Sequence, residues 1–489
     1  MRLARERRRF RAGLTIGGGV LPRRNTRQSD GNARTVLCQL AKVLPSLPPR
    51  SRLDRHMTDT LPSPGRTQDS IRRIRRVVAA STVGSTIEWY DFMLYGTVAA
   101  LVFPTQFFPA SDGFAGTLLT FSTFFVGFAA RPIGAVIFGH LGDRIGRKSA
   151  LISTLMLMGI GTVGVGLIPG YHSIGLWAPV LLVLMRTLQG IGMGGEWGGA
   201  VLMATESGDA KGRGFRAAFP QASAMLGVAL ANVVVLAVSN LAGEAFLSWA
   251  WRLPFLASFV LVIVGFWMRK GIPETADFAA AKDAGAVHRA PVLSVVRSHP
   301  REILLGLFLK VGEMAAVFVF ITFVFAYGTS VGGFGRGLLL GLVAAAALLS
   351  ALIMPLMGLL GDRFGPRRVY LAGAAGTAVI CVVYFAAIKS GNPAVAIPVI
   401  LVSLVPYAAM FASEAPLLTG LFPAPVRYSG SSLAFNLAGI IGGGPAPFIA
   451  AAIAGSFGSP FALSAYLLVT VALGVIATLL LGRRERQHA

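Results

Sequence analysis

The 489-residue chain is 54% hydrophobic and only 13% charged, and its mean hydropathy is +0.68. Soluble proteins carry about 25% charged residues, so this composition excludes an ordinary soluble enzyme, a disordered chain and a fibre, and leaves a polytopic membrane protein. The formal net charge of +23 would suit a nucleic-acid binder, but fourteen of its lysines and arginines lie within residues 1–56, facing only Glu6, Asp30 and Asp54, and basic loops on one side of a membrane account for the rest.

Residues 1–70 mix arginine clusters with Pro45, Pro48, Pro49, Pro62 and Pro64 and hold no sustained apolar period, which predicts a basic, disordered extension. Its Arg-rich, acid-poor opening resembles a transit peptide, and 13–21 is too glycine-rich for a secretory signal core. A start at Met57 is the preferred reading. Cys38 and Cys381 lie too far apart in sequence and setting to suggest a disulfide framework or a metal site.

From Val77 onward, apolar stretches of about 20 residues recur, each long enough to span a bilayer as a helix. Twelve are expected, at 77–103, 115–141, 149–169, 177–204, 217–241, 249–268, 303–327, 337–360, 369–388, 395–419, 429–454 and 460–481. Basic residues fall in alternate loops: Arg144, Arg147 and Lys148; Lys211, Arg213 and Arg216; the long segment 269–302; Arg363, Arg367 and Arg368; and Arg427. The intervening loops offer only Arg336 and Lys389. Both termini are therefore expected in the cytoplasm. The expected division is an N-terminal half at 71–268, a cytoplasmic linker at 269–302, a C-terminal half at 303–482 and a short tail at 483–489. A repeat supports two halves, since Gly-His-Leu-Gly-Asp-Arg-Ile-Gly at 139–146 returns as Gly-Leu-Leu-Gly-Asp-Arg-Phe-Gly at 358–365. Two parallel repeats of six helices, with the substrate site between them near midplane, form a known transporter plan.

Ionisable side chains inside such spans are costly and mark substrate pathways or proton relays. Counting about 1.5 Å per residue places Glu88, Arg131, Glu196 and Glu313 about 15 Å deep, with Lys310 slightly shallower and Asp91 and Arg186 deeper. Glu88 and Asp91 share a helix face, as do Lys310 and Glu313. A buried carboxylate beside an arginine is charged when paired and protonated when the pair opens, which is the switch a proton-coupled carrier needs. Static interhelical salt bridges are the competing reading, and Lys310–Glu313 reads equally as an inert intrahelical pair or a substrate contact.

Several strings together resemble a known family. The repeated loop, ending Gly-Asp-Arg-Ile-Gly-Arg-Lys in its first copy, is similar to the signature of the major facilitator superfamily. Glu88-Trp89-Tyr90-Asp91-Phe92, Arg131-Pro132-Ile133-Gly134-Ala135, and Arg186-Thr187-Leu188-Gln189-Gly190 leading into Gly194-Gly195-Glu196-Trp197-Gly198-Gly199 resemble its metabolite:proton symporter family, in the shikimate-transporter-like branch. The resemblance covers about 72–483. It implies an all-α membrane protein of twelve transmembrane helices in two six-helix bundles. The implied function is a proton-coupled secondary active importer (symporter) of a small polar metabolite, an organic acid, by alternating access. It also implies residence in the bacterial plasma (inner) membrane. The expected partners are that small molecule, protons and the lipid bilayer, with no nucleic acid; the chain is expected to act as a monomer without cofactor or metal.

Roles follow the motifs. Proton coupling is expected at Asp91, Glu88, Arg186 and Arg131, and substrate binding at Arg131, Tyr90, Gln189, Glu196, Trp197, Lys310 and Glu313. An inner latch is expected at Asp143, Arg144, Arg147 and Glu206, repeated at Asp362, Arg363 and Arg367, with Asp143 suited to face a helix N-terminus. His140 is a small polar part of that latch. The sequence departs from the family at Gly420, where an acid usually precedes Leu-Phe-Pro, and Glu414 is the substitute at hand. An ATP-driven pump is excluded because the Walker-like run 142–149 has Arg147 in the lysine's place. The histidines show no ligand spacing, so an enzyme is not expected. Antiport of a metabolite or drug is the alternative, disfavoured because Met225-Leu226-Gly227-Val228 lacks the antiporters' Gly-Pro motif. A transporter-like solute receptor is the alternative of another class.

Overall fold

The structure, a computed structural model, describes residues 64–111, 113–145, 147–194, 212–270, 291–423 and 426–488, without the side chains of 64–81, 139, 142–148, 268–270, 291–294 and 482–488. The expectations for residues 1–63, including a start at Met57, lie outside the described residues. So do Glu196, Trp197, Glu206 and most of the linker. Among the described residues the chain is helical, with no strand. It divides into residues 1–71 and 72–489, and the second unit holds the helical body.

Among the described residues, twelve long helices follow the apolar periods. They are α1 (Pro64–Phe107), α2 (Gly113–Ala129 continuing as Arg131–Ile145), α3 (Arg147–Leu167), α4 (Trp177–Gly194), α5 (Arg213–Ala242) and α6 (Arg252–Lys270). A short helix at Pro291–Ser298 precedes α7 (Pro300–Ser330), α8 (Arg336–Phe364), α9 (Pro366–Lys389), α10 (Pro393–Gly420), α11 (Arg427–Phe457) and α12 (Pro460–His488). Nine described helices are long and apolar enough to cross a membrane. In hydrocarbon every backbone group must be satisfied within the segment, so long apolar runs leave the chain no alternative to helix.

The repeated loop has a backbone cause. Gly365 ends α8 with φ 90°, its N–H donating to Gly361 O, and Pro366 opens α9. A residue with a Cβ would be strained there, and proline cannot continue a helix but suits its first turn. The loop's last glycine is thus a helix stop.

Small residues set the packing, as expected where lipid supplies no hydrophobic drive between helices. On α4, Gly190 and Gly194 press on the α2 backbone so closely that a Cβ would overlap Gly127 O and Arg131 O respectively. The two halves also touch along their length. Gly214 of α5 meets Gly358 of α8, Gln221 Nε2 of α5 donates to Phe411 O of α10 at 3.0 Å, and Gly444 of α11 seats on Phe125 and Phe128 of α2. Both α7 and α11 carry a π-helical turn, at Val319–Phe323 and Gly439–Gly443. Such turns recur at functional positions in helices.

Candidate functional site

Between the halves lies a cavity of about 10 Å³, roughly the space of one water. Trp89 and Met93 of α1, Met225 of α5, Lys310, Glu313 and Phe318 of α7, and Tyr407 and Phe411 of α10 line it. No metabolite fits a space this small, so admitting one requires the halves to part.

The helical spacing of α7 brings Lys310 and Glu313 onto one face, and they form an ion pair. That pair is intrahelical, yet both residues also face the cavity. A third charge joins them, for Lys310 Nζ lies 2.9 Å from Glu414 Oε2 of α10. Glu414 is fully buried, six residues before the end of α10. It is therefore no substitute for the acid missing at Gly420: it sits about 9 Å up the helix from that end, against the lysine. The Lys310 ammonium also lies over the rings of Phe411 (4.2 Å) and Phe435 (4.7 Å), where ring quadrupoles attract a cation. One oxygen of each carboxylate, Glu313 Oε2 and Glu414 Oε1, has no hydrogen-bond partner. Two carboxylates thus share one ammonium.

A second cluster lies in the N-terminal half. Arg186 of α4 sits over Phe92 (4.0 Å), Tyr95 (4.2 Å) and Phe124 (4.8 Å) and donates from Nη1 to Gln189 Oε1 at 3.1 Å. Arg131 of α2 sits over Phe128 (4.2 Å) and Phe92 (4.3 Å), and its Nη2 reaches Met193 Sδ at 3.0 Å. Both arginines are buried, and Arg186 Nε and Nη2 and Arg131 Nε have no acceptor. Gly127 makes room for Arg186, since a Cβ there would overlap Arg186 Nε. The rings of Phe92, Phe124 and Phe128 pack together, the last two also against Phe318 of the cavity lining, and Arg131 lies 5.9 Å from the ring of Trp89, another lining residue.

Asp91 is fully buried, and neither of its oxygens accepts a hydrogen bond. The hydroxyls of Ser258 and Thr162 lie beside it, but donate to Pro254 O and Met158 O instead. The ion pair expected between Asp91 and Arg186 or Arg131 is not formed, because aromatic faces hold both guanidiniums. Glu88 is buried one turn away on the same helix. Tyr90 donates its hydroxyl to Pro254 O of α6 at 3.0 Å, and Gln189 donates to Thr162 Oγ1 at 2.9 Å. Neither lines the cavity, so both brace the N-terminal half in this geometry. Trp89 and Tyr407, which line it, carried no assignment from sequence, although Trp89 stands inside the Glu-Trp-Tyr-Asp-Phe string.

At the end of the molecule bearing the repeated loops, Asp362 accepts from the first free N–H groups of α5, Gly214 N at 2.8 Å and Phe215 N at 3.0 Å. A carboxylate suits the positive end of a helix dipole, and this contact joins the two halves. It is the arrangement expected of Asp143, whose side chain, like those of Arg144 and Arg147, lies outside the described set. Arg363 is exposed and lies over Phe364, and Arg367 Nη2 donates to Leu479 O of α12 within its own half, so neither joins the halves. His140 is exposed. Asp362→Ala is expected to loosen this end by about 1 kcal/mol, the usual worth of a helix N-terminal acceptor. A cysteine at Ala218, buried beside Gly358, should then react about fivefold faster with a water-soluble thiol reagent. Asp362→Asn, which keeps one acceptor oxygen, should fall between. Equal rates in all three proteins would remove the latch role.

Comparison with known proteins gives this architecture its family. Residues 77–297 match the model described as sugar (and other) transporter, and 337–489 match the Major Facilitator Superfamily model. The chain is 37% identical to the shikimate transporter of Escherichia coli over 439 residues, covering 89% of this chain and 100% of that protein. It is 38% identical over 421 residues to the inner membrane metabolite transport protein YhjE of E. coli, covering 84% and 94%. Among solved structures, the xylose transporter XylE of E. coli superposes with a TM-score of 0.65 at 18% identity, covering 84% and 97%. The chain belongs to the major facilitator superfamily, in the branch of the shikimate and related metabolite transporters. Its two six-helix bundles are the major facilitator fold. It is an integral membrane transporter of small metabolites, not an enzyme.

Proposed function

We propose that this protein is a proton-coupled importer of a small organic acid in the bacterial inner membrane, working by alternating access with both termini in the cytoplasm. The carrying observation is a buried acid whose oxygens accept no hydrogen bond, in the same half as two buried arginines whose guanidinium donors are only partly met. A carboxylate placed like Asp91, with neither donor nor cation at its oxygens, is inexpensive only when it holds a proton. Arg131 and Arg186 meanwhile have donors with no acceptor, and unmet buried donors favour an incoming anion. A proton on Asp91 and solute oxygen atoms on the arginine donors would satisfy both sets of unmet groups. The 37% identity to a shikimate transporter supports a hydroxylated carboxylic acid as the solute class. On this reading Asp362 closes the cytoplasmic mouth and Glu88 supports Asp91.

Uptake by the full chain in proteoliposomes tests the proposal. With the outside about one pH unit more acidic, shikimate or another small carboxylate should accumulate up to about tenfold per coupled proton, and only to equality without the gradient. Accumulation driven by the opposite gradient would instead indicate antiport, and binding without any movement a receptor.

A further inference from the structure

The Lys310, Glu313 and Glu414 cluster differs from the first-half cluster in carrying one carboxylate more than it has cations. Fully ionised it holds a net charge of −1, buried, with one oxygen on each acid unmet. The two acids are not equivalent. Glu313 shares α7 with Lys310 and lines the cavity, so the two move together and meet whatever enters. Glu414 stands on α10, outside the cavity lining, and its link to Lys310 crosses between helices. A change in the fit of α7 on α10 breaks the second link and keeps the first.

We infer that Glu414 is a built-in stand-in for the substrate's carboxylate: an acid entering the cavity takes the Lys310 ammonium from Glu414, and Glu414 leaves that bond by accepting a proton from water on the side of entry. The step balances. Before it the site holds one ammonium and two carboxylates. After it the site holds one ammonium, the Glu313 carboxylate, the substrate carboxylate and a neutral Glu414. Its charge is −1 in both states, so an anion enters a buried acidic site without adding charge to it. This second proton is additional to the one assigned to Asp91, which already lacks a partner. The inference rests on the organic-acid reading and deepens it by placing the carboxylate subsite in the C-terminal half. The other ionisable groups facing the cluster, among the described residues, are Tyr407 of α10 and Tyr370 of α9. Tyr370 donates its hydroxyl proton to Leu309 O and contributes none.

The test measures proton uptake when shikimate binds the full chain in lipid nanodiscs, in weakly buffered solution, with Kd followed over pH by calorimetry. Wild type should take up one proton per shikimate, with Kd weakening about tenfold per pH unit across the range in which that uptake is seen. Glu414→Gln, fixed in the neutral form, should take up none, with a Kd flat over that range. Methyl shikimate, which brings no charge, should draw no proton into wild type. Zero uptake by wild type with shikimate bound overturns the inference without needing any variant. So does uptake that persists in Glu414→Gln and is lost in Asp91→Asn, which moves the linked proton to the first helix and leaves the importer reading standing. Failure of wild type to bind shikimate or any other small carboxylate put in its place removes both readings.

Discussion

Asp91→Asn is expected to abolish gradient-driven accumulation while leaving exchange of labelled for unlabelled solute intact. Asparagine keeps the shape of the side chain and mimics its protonated form permanently, so the carrier can load and turn over but cannot deliver its proton. Net uptake needs the carrier to return after releasing that proton, whereas exchange returns it loaded. Asp91 is fully buried with no partner on either oxygen, so an amide should be accommodated there without loss of fold; its NH₂ even finds acceptor capacity in the neighbouring hydroxyls of Ser258 and Thr162. With about one pH unit across the membrane, the accumulation ratio should drop from about tenfold per coupled proton to one. Glu88→Gln is the discriminating control, since Glu88 is the other buried acid among the described residues of α1. If Glu88→Gln loses accumulation and Asp91→Asn retains it, the proton belongs to Glu88. If both accumulate normally, coupling through α1 is wrong.

What the sequence made legible divides along a physical line. Helices came through, because an apolar run of this length has one stable form in hydrocarbon. Local charge also came through: Glu88, Asp91, Arg131, Arg186, Lys310 and Glu313 stand out as ionisable residues in apolar spans, and all six are buried. Partners were a different matter. Lys310 and Glu414 are 104 positions apart, and nothing local ties a lysine on one helix to an acid on another. Reading Glu414 by its distance from Gly420 gave it a latch role, when its helix face sets it against α7. The arginines misled for a related reason. Sequence arguments seek an acid for every buried cation, while phenylalanines pass as ordinary lipid or core residues. Here Phe92, Phe124 and Phe128 occupy the places where a carboxylate was expected. The repeat fared better, since the contact foreseen for Asp143 is made by its counterpart Asp362.

Gly190→Ala should be among the most damaging single-methyl changes in the N-terminal half, although the site touches no substrate. Gly190 and Gly194 are four residues apart on α4, a small-xxx-small seam that lets two helices approach to backbone contact. The added Cβ would overlap Gly127 O and lie 2.9 Å from the Ala130 Cβ. A backbone oxygen inside a helix cannot rotate aside as a side chain can, so α2 and α4 must separate. The separation acts on the buried arginines too, because Arg186 lies one turn before Gly190 and occupies the space left by Gly127. Overpacking of this kind costs about 1–3 kcal/mol, and more where backbone must move. In a half of about 200 residues that lowers Tm by roughly 2–4 °C per kcal/mol, so a fall of about 5–10 °C is expected in detergent, together with loss of uptake. Gly420→Ala supplies the contrast, since a Cβ there meets nothing within 4 Å. It ends α10, where the same methyl should change stability by less than about 0.5 kcal/mol and leave uptake untouched. Fluorescence-detected thermal unfolding of the two variants beside wild type reads both effects, and a Gly190→Ala protein that melts and transports like wild type would mean that α2 and α4 do not approach to backbone contact.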